Sequence, residues 1–217
     1  MHRRRLAAKL LVVFLLGCDT TVQDRVKDFN REGTILYRQG EYQAAREHFE
    51  QASELKPDDS NLLYNIGQCY ERQGEWPKAE SFYRKCLEQE PEHEDVRFAL
   101  AQVLDRTGRR DEAARLANDW LVSHSHKAAP YALDGWRLRQ DRAFPQARGR
   151  LMQALAIDPH CSRALVELGI LYEQLGEPER SLILYQRSLE YNPRQPDVID
   201  RLNELKAKNV GKPLPNR

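Results

Sequence analysis

The stretch Leu63–Pro91, "LYNIGQCYERQGEWPKAESFYRKCLEQEP", decides how the rest of the chain is read. Leu63, Ile66 and Tyr70 stand at i, i+3 and i+7, which places them on one stripe of an α-helix. Gly74 ends that stripe, where a residue with positive φ is wanted. Pro77 then opens a second helical pattern, in the first turn, where a missing amide loses no partner. Ala79 and Tyr83 carry the second stripe and Pro91 closes it. A helical hairpin of this size cannot bury its apolar face alone, so it predicts neighbours of the same kind.

The neighbours are present in both directions. Pro57, Pro91, Pro159 and Pro193 stand 34, 68 and 34 residues apart, with Ser125 in the missing slot. Gly33, Gly67, Ala101, Gly135 and Gly169 form a second ladder at the same spacing, and Ala45, Ala79, Ala113, Ala147 and Ser181 a third. Five units of 34 residues without insertion therefore cover 26–59, 60–93, 94–127, 128–161 and 162–195.

These residues resemble the tetratricopeptide repeat: a bulky residue, Leu-Gly, a Tyr, then Ala, an aromatic and a late proline. The second unit gives Leu63, Ile66-Gly67, Tyr70, Ala79, Tyr83 and Pro91, and the fifth gives Leu165, Leu168-Gly169, Tyr172, Ser181, Tyr185 and Pro193. The first departs at Glu32, where an apolar residue is usual. The resemblance implies an all-α, right-handed solenoid of five helix-turn-helix repeats. Asp197–Lys208, with Ile199, Leu202 and Leu205 on one side, reads as a C-terminal capping helix over 196–208, and 209–217, with Pro213 and Pro215, as a disordered tail. The third unit exchanges large and small, with Ala117 at an aromatic rung and Trp120 at a small one, which keeps core volume. The fourth has Arg142 where a turn glycine is expected, which predicts a looser hairpin.

In this family the stripe beside the core stripe of each first helix faces the concave side and holds a segment of a protein partner. Here that groove takes Asn30 and Tyr37, then Asn61, Tyr64 and Gln68, then Phe98 and Gln102, then Trp136 and Arg139. Tyr64, Phe98 and Trp136 would form an aromatic line, with Arg38, Arg72 and Arg106 recurring near its rim. Aromatic, Arg and amide side chains suit peptide binding; the alternative is that they are incidental surface of a scaffold. The basic clamp by which some relatives hold a C-terminal carboxylate is not matched: Asn65 fits one place, but Asp95 and Ala99 stand where basic residues belong.

The N-terminus raises the question of compartment. "MHRRRLAAK" is basic, and the apolar run that ends at Gly17 is far short of the roughly 20 residues that span a bilayer. A basic head before a short apolar run is the pattern of a secretory signal. Leu15-Leu16-Gly17-Cys18 resembles the lipobox of bacterial lipoproteins, although Leu16 stands where a small or β-branched residue is preferred. That likeness implies a signal peptide over 1–17, lipidation of Cys18, a tether over 18–25 and a place in the bacterial cell envelope. The alternative is a buried N-terminal helix with an ordinary cysteine.

Charge and composition narrow the partner. The 217 residues carry 31% charged and 41% hydrophobic side chains and a formal charge of +1, with a mean hydropathy of -0.75. Without residues 1–17 the balance is 30 basic against 33 acidic, which argues against nucleic acid, whose binding needs clustered Lys and Arg. Cys69 and Cys86 fall on rungs for small buried residues. His93, His124, His126, His160 and Cys161 line up at unit junctions; His124-Ser125-His126 has the form of half a metal site, but most of these side chains are too widely spaced to share one ion. No nucleophile–base pair, phosphate-cradling loop or paired-carboxylate motif stands out, so no metal, cofactor, small-molecule substrate or catalysis is expected. The sequence reads as a membrane-anchored adaptor for a protein or peptide partner in the envelope. The alternatives are a cytoplasmic scaffold with an unprocessed N-terminus and an accessory subunit of an envelope enzyme.

Overall fold

The computed structural model describes the backbone of residues 2–208 and the side chains of residues 21–208. The expected lipidation site Cys18, the signal over 1–17 and the tail over 209–217 lie outside the described side chains. Among the described residues there are eleven α-helices and no strand, the all-α class that the period predicts. Helices α1 (His2–Gln39), α2 (Tyr42–Leu55), α3 (Ser60–Arg72), α4 (Trp76–Gln89) and α5 (Glu94–Arg106) make one compact unit, residues 1–108. Helices α6 (Arg110–Ser123), α7 (Ala128–Gln140), α8 (Phe144–Ile157), α9 (Ser162–Gln174), α10 (Pro178–Tyr191) and α11 (Pro196–Ala207) make a second, residues 109–217. Residues 21–25, expected to serve as part of a tether, belong to helix α1.

Within each unit successive helices pack on one another, and the tightest contact of a hairpin is a glycine against a large side chain. A Cβ on Gly67 would lie 2.5 Å from the Tyr83 ring, one on Gly33 2.7 Å from Phe49, and one on Gly135 2.6 Å from Leu151. Gly169 meets Tyr185 in the same way. The glycine ladder thus exists because only a hydrogen leaves room for the opposing ring. At Ser181, the one serine on the alanine ladder, the buried hydroxyl donates to the Gly169 carbonyl at 2.7 Å, which satisfies it. Trp120 and Ala117 are both buried, as the large–small exchange requires.

The hairpin turns share one geometry. Gly74 has φ 76°, Gly74 N–H donates to Glu71 O at 3.0 Å and Glu75 N–H to Tyr70 O at 2.9 Å, the paired bonds of a Schellman cap. The fourth repeat is not looser, contrary to expectation. Arg142 adopts φ 59°, its N–H donates to Arg139 O at 3.0 Å, and Ala143 N–H donates to Leu138 O at 2.9 Å. The turn is the same and the arginine carries the strain of the left-handed region. The capping helix also turns differently from its predicted face. Val198, Leu202 and Leu205 are buried with Tyr185, whereas Ile199 is exposed. The stripe is i, i+4, i+7 rather than one through Ile199.

Three substitutions separate these contacts. Gly67→Ala forces Tyr83 to move and should lower stability by about 1–3 kcal/mol, while Gly149→Ala, where an added Cβ meets nothing within 4 Å, should be neutral or stabilising. Arg142→Gly relieves the turn and should raise stability by about 1 kcal/mol. Chemical denaturation followed by circular dichroism checks all three, with unchanged m-values confirming that the same transition is compared.

Candidate functional site

The groove residues separate into two groups. Asn30 on α1 and Asn61 and Tyr64 on α3 line a cleft of about 830 Å³ in the first unit. Its apolar wall comes from Val22 and Val26 of α1 and from Leu55 and Leu62, and its polar rim from Lys27, Lys56, Asp59, His93 and Asp95. Asn65 also lines it, and its Nδ2 donates to Asn30 Oδ1 at 3.1 Å, tying α3 to α1. A carboxamide offers two donors and two acceptor lone pairs, so neither amide is saturated by that one bond. The Tyr64 ring lies 5.4 Å from His93 and 5.9 Å from Tyr83, and its hydroxyl accepts from Gln68 Nε2 at 3.0 Å. Gln68 therefore serves the cleft by fixing Tyr64.

Local structure sets the rim. Asp59 caps α3, accepting from Asn61 N–H at 3.1 Å and Leu62 N–H at 3.3 Å. Partial burial opposes its charge, but the Lys56 ammonium at 2.8 Å and these two amides hold its carboxyl below the ordinary value. His93 caps α5 through Nδ1, which accepts from Val96 N–H at 3.4 Å. The cleft wall is thus built from helix starts whose caps are themselves in place.

Three of the other predicted groove residues do not offer free surface. Phe98, Trp136 and Arg139 are only 2%, 4% and 7% exposed, so the expected aromatic line is core rather than a binding face. On α7 the stripe beside the core stripe is covered by α9 of the next repeat. Arg139 of α7 donates to Glu167 of α9 through Nη2 at 2.8 Å and Nε at 3.1 Å, a buried ion pair between repeats. Gln102 is half-buried. Tyr37 lies two turns along α1 from Asn30 and its hydroxyl accepts from Arg72 Nε at 3.2 Å. Arg72 covers Tyr42 at 5.7 Å, and Arg106 covers Trp76 at 5.2 Å in the next register. These recurring arginines clasp successive repeats instead of lining a groove rim.

One periodic pair escaped the sequence reading. Tyr83 Oη donates to Glu71 Oε2 at 2.6 Å, and Tyr185 donates to Glu173 twelve residues earlier in the same way. Burial and the adjoining carboxylate push both phenols well above their ordinary values. Where the ring position holds Leu151, no hydroxyl reaches that register, and Arg139 occupies it and turns to Glu167. A tyrosine twelve residues after a glutamate was a legible signal.

Cys69 and Cys86 are buried free thiols, raised by burial to about 12 and about 11, and Cys86 Sγ donates to the Ser60 carbonyl at 3.2 Å. They pack as small apolar groups and are poor nucleophiles. The junction histidines find separate partners: the His160 ring lies 4.3 Å from Tyr191, and His124 and His126 face each other at 6.2 Å. Among the described residues no three His, Cys, Asp or Glu side chains come together as metal ligands, and no helix is long and apolar enough to cross a membrane.

Comparison with known proteins gives one consistent result. The description "Tetratricopeptide repeat" matches residues 29–89 and 58–121 in one profile and 135–197 in another. The "Photosystem I assembly protein Ycf3" of Synechococcus sp. strain CC9605 is 28% identical over 91 residues, 41% of this chain and 53% of that protein. The chain thus spans about half the length of the curated relatives it matches. Among solved structures, the tetratricopeptide protein TTC0263 of Thermus thermophilus superposes with a TM-score of 0.64 at 22% identity, over 84% of this chain and 99% of its own. MamA of Desulfovibrio magneticus RS-1 does so with a TM-score of 0.50 at 17% identity, over 79% and 97%. These likenesses to solved structures show the fold.

The buried ion pair gives a test of the corrected placement. Glu167→Gln strands the Arg139 guanidinium and should cost about 3–5 kcal/mol, whereas Arg139→Met with Glu167→Leu should recover most of it. A double-mutant cycle by denaturant unfolding measures the difference; a near-zero cost for Glu167→Gln would mean that Arg139 is free to meet a partner.

Proposed function

Because the chain belongs to the tetratricopeptide repeat family, we propose that it is a non-catalytic adaptor that holds an extended segment of another protein in the cleft of its first unit. The observation that carries this reading is the cleft itself, about 830 Å³ with Asn30, Asn61 and Asn65 on its wall. An extended peptide presents alternating backbone N–H and C=O groups, and carboxamides can donate to one and accept from the other. The Tyr64 ring and the Val22, Val26 and Leu55 side chains receive the peptide's apolar side chains. The rim carries both signs of charge, Lys27 and Lys56 with Asp59 and Asp95, which favours a partner segment of mixed charge over nucleic acid.

The adaptor works at a membrane of the bacterial envelope, held by lipid on Cys18. The basic head, the short apolar run and Leu15-Leu16-Gly17-Cys18 support this. Several acyl chains anchor a protein far more firmly than one. Cys18 stands four residues before Val22, a residue of the cleft wall, so an anchor there would present the cleft close to the bilayer. The photosystem I relatives are named for assembly, and an assembly adaptor for a membrane-proximal partner fits the cleft and the anchor together.

A photo-crosslinking residue at the exposed Asn61 should capture one envelope protein in cells, and Asn61→Trp, which fills the cleft from outside the core, should abolish co-purification of that protein. Metabolic labelling with an alkyne fatty acid should mark the wild-type chain and leave Cys18→Ala unlabelled and released from membranes. Capture of the same protein despite Asn61→Trp would remove the cleft reading; an unlabelled wild-type chain would remove the anchor.

A further inference from the structure

The second unit carries an apolar surface that its own fold does not use. Between α8 and α10, floored by Leu168 and Tyr172 of α9, runs a groove of about 420 Å³. Met152 on one wall and Ile183 on the other are 56% and 55% exposed. A single exposed aliphatic residue is ordinary on a protein surface. Two that face each other across an apolar floor are the mark of an interaction site.

The repeats supply an internal control. The register of Met152 is filled elsewhere by Glu50, Arg84, Asn118 and Gln186, all polar. The register of Ile183 is filled by Glu47, Ser81, Arg115 and Gly149. The solenoid therefore does not need an apolar side chain at either place, and the two exceptions fall on the walls of one groove.

The charge around the groove selects the occupant. Its lining includes Arg180 and Arg187 and no carboxylate. Helix α8, one wall of the groove, has no acidic residue along its length. Arg180 is held by the half-buried Glu177 at 2.8 Å, whereas Arg187 makes a 3.4 Å bond to the Pro159 carbonyl. The floor is apolar and the rim is basic.

We propose that this groove docks an amphipathic helix of a protein partner, seating an apolar stripe between Met152 and Ile183 and pairing acidic residues beside that stripe with Arg180 and Arg187. The walls are 14-residue helices, about 21 Å long, which matches roughly four turns of an incoming helix and a stripe at i, i+3 or i+4, and i+7. This surface is independent of the amide-lined cleft in the first unit.

The test uses the full chain in detergent and a phage-displayed library of helical peptides, counter-selected on Ile183→Asp, an exposed substitution whose folding is checked by thermal melting. Enriched peptides should carry the apolar stripe with Asp or Glu beside it. A synthetic copy followed by fluorescence anisotropy should bind more than about tenfold more weakly to Ile183→Asp. Arg187→Glu should weaken it several-fold, with recovery when the peptide's acidic residues are changed to lysine. Asn61→Trp should leave this binding unchanged, which separates the groove from the cleft. Failure to enrich over the counter-selector, or enriched peptides without acidic residues, would overturn the proposal. A dimer in sedimentation velocity that Ile183→Asp dissolves would instead give the face to a second copy. Binding to phosphatidylglycerol vesicles that the same variant loses would give it to lipid.

Discussion

The contact on which this structure depends is the approach of a glycine in the first helix of a repeat to the ring or leucine of the second. Fully burying a side chain of that size is worth about 1.5–3 kcal/mol, and placing glycine in a helix costs about 0.5–1 kcal/mol. The balance favours the glycine only if the large residue is opposite, so the two positions are fixed together sixteen residues apart: Gly33 with Phe49, Gly67 with Tyr83, Gly135 with Leu151, Gly169 with Tyr185. The third repeat departs at both positions at once, with Ala101 and Ala117. A side chain returns on the first helix in the one repeat whose second helix has alanine at the ring position, its large residue being Trp120 one turn on.

That pairing propagates into polar choices. A tyrosine at the large position brings a buried hydroxyl that needs an acceptor, and Glu71 and Glu173 supply it. A leucine brings none, and the register is released for Arg139, whose guanidinium then requires the carboxylate of Glu167 in the next repeat. One apolar decision inside a hairpin therefore determines whether the neighbouring polar residue serves its own hairpin or binds the next one. A buried ion pair contributes little net stability compared with apolar residues of the same size, yet breaking it is costly. Its effect in the second unit is to fix how α7 and α9 register.

This explains which parts of the molecule were legible in the sequence. Helix pairs, turn glycines and the capping helix follow from local periodicity and from the backbone limits of Gly and Pro, and these act within a few residues. Asn30, Asn61 and Tyr64 line the cleft and sit on the stripe beside the core stripe, a face that helical spacing marks out. Phe98, Trp136 and Arg139 sit on that stripe too and are buried. Helical spacing says which face a residue is on and says nothing of what covers that face, and a large aromatic side chain is compatible with either answer. At Arg142 the missing glycine does not change the turn, because the hydrogen bonds of the cap hold φ positive against the side chain's preference.

A repeat fold separates the residues that build it from those that can vary. The registers of Met152 and Ile183 lie off the core stripe in every repeat, so replacing a polar residue there by an aliphatic one leaves the glycine–ring contacts and the caps untouched. The same freedom holds for the amides around the first-unit cleft, since Asn61 and Asn65 lie off the Leu63, Ile66 and Tyr70 stripe. The outcome is two surfaces with different chemistry on one backbone plan: a cleft rich in carboxamides with both signs of charge at its rim, and a groove that is apolar and bordered by arginine. An extended main chain satisfies the first and would leave its polar groups unpaired in the second; an amphipathic helix satisfies the second and has no free backbone groups to offer the first. Two such sites cannot be served equally by one kind of segment, and a chain that carries both is suited to holding two different elements, which is the physical content of an adaptor.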